Sequence, residues 1–214
     1  MALSKVDYNS LNVTAAASKA LKWNSTPNGF ETGDVGGSLV LLATETASSS
    51  ATISFTSGID STYKEYIFKF YDIHPATDQT FLTFQADTGT NTSYNQTITS
   101  TFFAAYHGED GTGAALAYAG SYDQAQATSF QYITDRTGTD NDQTVAGTLH
   151  LYDPSSSTFV KHFICRSNCN EQSDYTSQVF AAGYFNTTTA LTRVQFKMNS
   201  GNIDAGTIKL YGVS

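Results

Sequence analysis

Cys165 and Cys169 stand four residues apart, with His162 three residues ahead of the first. A thiolate beside an imidazole can act as a nucleophile, and the same groups bind soft metals. The spacing argues against both uses. An odd offset places His162 and Cys165 on opposite faces of a strand. A tetrahedral zinc site wants four ligands, whereas His74, His107 and His150 are scattered along the chain. A disulfide closing the short loop is the alternative in an oxidising setting. Two free thiols are the expected state, Cys165 buried in a strand and Cys169 in the turn that follows.

Hard oxygen ligands gather in DRTGTDNDQ (Asp135, Asp140, Asp142) and HGEDGTG (Glu109, Asp110). Calcium prefers such oxygens, and an ion bound there would be structural. Neither run has EF-hand spacing, and exposed turns use the same residue types, so solvated turns and no cofactor are expected. Glycosidase chemistry needs two opposed carboxylates, and no spacing among the acids singles out a pair. The chain has no G-x-S-x-G elbow, no H-E-x-x-H and no Walker A loop. The expectation is a protein that is not an enzyme. Tyr94, Tyr106, Tyr118, Tyr122, Tyr132 and Tyr175 fall in or beside expected loops. Their rings suit subunit interfaces, where an apolar body with a polar tip fits a half-wet position, and secondarily the faces of sugars.

The elements that must position these groups follow from composition. In 214 residues the chain has 31 Thr, 23 Ser, 14 Phe and 13 Tyr but few Glu, a bias towards strands and away from helical bundles. A net charge of −8, with only three Arg and no basic cluster, gives no electrostatic footing for nucleic acid or anionic lipid. After Met1 there is no apolar signal segment, and no window approaches 18 apolar residues, so neither export nor membrane insertion is expected. The expected compartment of synthesis is the cytosol.

Residues 1–37 read as an arm. Thr14 is a plausible cap for one small helix over Ala15–Lys22, and the Pro, Gly and Asn-rich run after Trp23 reads as a linker. Leu11, Val13, Leu21 and Trp23 are its apolar anchors. From residue 38 to 214, short runs of period 2 alternate with turn signals: Ile53 and Phe55, Leu82, Phe84 and Ala86, Leu149 and Leu151, Val194, Phe196 and Met198, Ile208 and Leu210. Ten or eleven strands, including runs at 39–45, 66–73, 97–106, 129–133, 158–166 and 178–185, predict an all-β fold. The expected architecture is an antiparallel β-sandwich, jelly-roll-like, behind the arm.

ASSSATISFTSGIDSTYKEYIFKF from Ala47, IHPATD at 73–78, GTLHLYDPSSSTFVKHF at 147–163, GYFNTTTALTRVQFKMNSGNIDAGTIKLYG at 183–212 and the opening MALSKVDYNSLNV together resemble virion structural proteins of marine tailed bacteriophages, of the cyanophage and pelagiphage type. The likeness spans nearly the whole chain and is weakest over 88–143. It implies a particle component, a capsid decoration or a tail-associated fibre or adaptor, made in the host cytoplasm and residing in the virion. It also implies attachment to other virion proteins through the arm and homo-oligomers, commonly trimers. The family's motifs are not catalytic, so no site residues carry over.

Overall fold

The computed structural model describes residues 20–23, 29–33 and 39–214. The chain divides into two units, Met1–Val40 with Ser214, and Leu41–Val213. In the first unit, β1 (Ala20–Trp23) and β2 (Phe30–Gly33) form an antiparallel hairpin. Trp23 stacks on Phe30 with ring centroids 4.4 Å apart, and Lys22 pairs with Glu31 at 3.5 Å. Of the helix expected over Ala15–Lys22, residues 15–19 lie outside the described residues, and Ala20, Leu21 and Lys22 are strand. Cross-strand ring and charge pairs at Trp23 and Lys22 override their helical propensity.

The sandwich is all-β. β3 (Leu39–Thr46), β14 (Ile203–Val213), β5 (Glu65–Pro75) and β10 (Val145–Tyr152) adjoin in that order in one sheet. β4 (Ile53–Phe55), β13 (Leu191–Met198), β6 (Leu82–Thr88) and β9 (Gln131–Tyr132) form the other. Taken in chain order these eight strands wind between the two sheets in the double Greek key of a jelly roll. Two inserted hairpins extend the first sheet. β7 (Ile98–Gly108) and β8 (Ala114–Tyr118) enter between β6 and β9, while β11 (Lys161–Glu171) and β12 (Tyr175–Phe185) enter between β10 and β13. The larger sheet therefore runs β3-β14-β5-β10-β11-β12-β7-β8, with β8 at its free edge.

Alternation explains the core. Inward phases of the large sheet supply Phe68, Phe70, Phe163 and Phe185; the small sheet supplies Phe55, Phe84 and Phe196, all buried. Phe196 lies 5.2 Å from Phe68 and 5.4 Å from Phe70, bridging the sheets, and Phe84 lies 4.9 Å from Phe163. Edge-to-face contacts of this kind add to the burial of large apolar area.

Three expectations need correction. Thr83 and Gln85, which alternation places on a wet face, are buried, because the segments at 94–97 and 124–131 lie over that side of β6. Cys169 is in β11 and not in a turn, and β14 begins at Ile203, inside SGNIDAG (200–206), a run whose Ser, Gly, Asn and Asp read as a turn in the sequence. There the strand needs glycine: at Gly206 φ is +114°, and a Cβ would meet Asp72 O at 2.5 Å. Asp72 itself has a φ of 51°, and register shifts mark the bulge where β5 and β14 meet.

Candidate functional site

The ends of β7, β11 and β12 next to the hairpin turns at 109–113 and 172–174 carry Tyr106, Glu171, Tyr175 and Ser177 into one cleft. Register brings them together: Ser177 is opposite Tyr106 on one side and Cys169 on the other, and Tyr175 is opposite Glu171. The layer facing these strands is not a strand but the irregular segment 133–138. Its main chain is fixed by Ile133 N–H to Leu82 O (3.0 Å), by reciprocal bonds between Thr137 and Thr80, and by Gln172 N–H to Arg136 O (3.2 Å). Ser167 Oγ donates to Ile133 O at 2.5 Å. Asp135 and Arg136 are thereby held over the strand ends, closing a cleft of about 330 Å³.

The polar groups of the cleft are already ordered. Ser177 Oγ donates to Asp135 Oδ2 at 2.9 Å. The buried Glu171 accepts from Ser173 N–H at 3.1 Å and pairs with Arg136 Nη2 at 3.3 Å. Half of the Arg136 side chain is exposed, so the guanidinium remains open to a ligand. Tyr106 and Tyr175 meet edge to face at 5.8 Å. Carboxylates that accept, a guanidinium and hydroxyls that donate, and two ring edges suit a ligand rich in hydroxyls.

Of the six tyrosines, the cleft gathers Tyr106 and Tyr175. Tyr94 is buried, its N–H donating to Asp87 Oδ2 at 2.7 Å. Tyr122 and Tyr132 pack on Phe81 at 4.8 and 4.9 Å. Tyr118 is exposed on β8, its hydroxyl bonded to Asp123. Of the arm anchors, Leu11 and Val13 lie outside the described residues, while Leu21 and Trp23 are exposed on β1.

Sequence reasoning missed Arg136, Glu171, Ser173 and Ser177. A signal for Glu171 existed: it shares the inward phase of β11 with Phe163, Cys165 and Cys169, where a carboxylate is out of place. Cys165 and Cys169 are free and buried, about 13 Å apart along one strand, beyond the reach of a disulfide. Burial, and secondarily the Asp135 charge, pushes the Cys169 thiol up to about 12; burial likewise raises Cys165. Both are thiols at neutral pH, which removes them as nucleophiles. Asp110, one of the acids in the calcium-type loops, turns back onto Thr112 N–H at 2.8 Å. Among the described residues no three His, Cys, Asp or Glu side chains converge to hold a metal ion.

No family model, curated protein or solved structure gives a significant match to the chain.

Proposed function

We propose that the chain is a non-enzymatic structural protein of a tailed-phage particle, a capsid decoration or tail-associated appendage whose N-terminal segment attaches and whose jelly roll is displayed. The observation that carries this reading is the hairpin of the first unit. Leu21, Trp23 and Phe30 leave 46%, 62% and 37% of their surface uncovered. Exposed apolar residues grouped on so small an element mark a surface made to be covered. The resemblance of the sequence strings to marine phage virion proteins supports other virion proteins as the covering partner, the virion as the location and a homo-oligomer, a trimer, as the displayed form. Deleting residues 1–37 is expected to leave a folded sandwich with an unchanged melting temperature that is absent from purified particles. Normal incorporation of the truncated chain would sink the attachment role.

A second reading is favoured by the cleft: recognition of a host surface glycan. Tyr106 and Tyr175 stand beside Asp135, Arg136 and Glu171 in a volume at the low end for small-ligand sites. On a glycan array, Tyr106→Ala and Tyr175→Ala are each expected to weaken saturable binding at least tenfold. Binding that is absent from the unmodified protein, or equal in the variants, disposes of this reading.

A further inference from the structure

One of the two edge strands of the large sheet, β8, has the sequence AALAY, and all five residues are exposed, Leu116 at 71% and Tyr118 at 60%. A bare strand edge presents unpaired N–H and C=O groups, and proteins ordinarily blunt it with charge, proline, a bulge or brevity. The small sheet uses brevity, its edge strands β4 and β9 having three and two residues. β8 uses none of these. It has no proline, its register with β7 is unbroken, and the chain carries no charged residue between Asp110 and Asp123.

The bonds flanking β8 set its parity. Gly108 N–H donates to Gly113 O and Ala119 N–H to Phe102 O, each at 3.0 Å. Odd-numbered residues therefore face β7, and the N–H and C=O groups of Ala114, Leu116 and Tyr118 point away from the sheet. This set is self-complementary. Two copies of β8 laid antiparallel about a two-fold axis at Leu116 pair Leu116 with its own counterpart and Ala114 with Tyr118, and every outward group of the three residues is satisfied.

We propose that the β8 edge is a two-fold seam at which a second copy of this chain continues the eight-stranded sheet. This inference does not depend on a place in a virion. Charge selects the partner. A chain of net charge −8 repels its like, and the seam is an uncharged stretch where two copies can meet; a basic partner would find nothing on β8 to pair with. The apolar row on the sheet's outer face runs on from the seam, Tyr118 opposite Phe103 and Phe103 stacked on Phe180 at 4.9 Å. An interface of one short strand is small and weak alone, and it is multiplied where copies are crowded or already joined about another axis. Asp110 and Asp123 lie at opposite ends of the seam, where the two-fold brings each near its counterpart's opposite number, so added salt strengthens the pairing.

Disulfide trapping on the full chain tests the register. Directly opposed residues in such a pair have Cα atoms about 5.5 Å apart, within disulfide reach, and the native thiols are buried. Leu116→Cys is expected to give a covalent dimer under mild oxidation, Ala114→Cys alone to give none, and an equal mixture of Ala114→Cys and Tyr118→Cys to give the mixed dimer. Sedimentation of the unmodified chain should show concentration-dependent doubling that Leu116→Lys weakens at least tenfold with an unchanged melting temperature. Equal trapping of Leu116→Cys and Ala114→Cys, no trapping in either, or association indifferent to Leu116→Lys overturns the proposal.

Discussion

Phe196→Ala is expected to lower the unfolding free energy by about 3–5 kcal/mol, the range for emptying a buried aromatic site. Phe196 is fully buried on β13, and its ring reaches Phe68 and Phe70 of the opposite sheet as well as Phe55 and Phe84 of its own, the last two at 6.2 Å. Both layers lose packing when it is truncated, and the neighbours are aromatic rings that cannot collapse readily into the space. Phe159 is the control. It is 70% exposed, and Phe159→Ala should fall within about 0.5 kcal/mol of the parent. Urea unfolding of both variants checks the contrast, and a Phe196→Ala loss below about 1 kcal/mol would show that this ring does not join the sheets.

Where a strand has one wet and one dry face, its residues announce it. Phe68 and Phe70, Val194 and Phe196, and Ile208 and Leu210 alternate with polar neighbours, and their strands fall where period 2 predicts. β8 does not announce itself, because three of its five residues are Ala, which has low strand propensity; it is strand because β7 lies beside it. The cleft was half legible for a related reason. Tyr106 and Tyr175 signal themselves as aromatics near loops, whereas Ser177 matters only through the register of β12 with β7 and β11, and Arg136 and Ser173 only through the segment and turn packed against those strand ends, long-range pairings that no local pattern encodes. Phe180 and Arg166 make the same point on the outer face. The guanidinium sits 5.4 Å over the ring from the neighbouring strand, 14 positions away in sequence.

Gln85→Met is expected to cost about 2–4 kcal/mol although it keeps the side-chain volume and adds no charge. The Gln85 amide is fully buried. Its Nε2 donates to Gln96 O (2.9 Å), Thr128 O (3.2 Å) and Ser129 O (3.1 Å), and its Oε1 accepts from Ala86 N–H at 2.8 Å. Those carbonyls belong to two irregular segments with no strand partners there, so the amide substitutes for a ladder. A thioether donates nothing; Ser129 O keeps its bond from Gln124 Nε2 at 2.9 Å, but the Gln96 and Thr128 carbonyls must either stay unpaired or draw in water by lifting the segments off β6. The damage should therefore be local. Gln131, a second buried amide, still holds Tyr122 O and Tyr132 O at 2.9 and 2.8 Å, so the segment lifts around residues 94–97 and 124–129 first. Hydrogen exchange is expected to speed up in those two stretches while β5 and β14 stay protected to the global limit. Uniform acceleration across the sandwich, or an unfolding midpoint equal to the parent's, would show that the amide does not carry these segments.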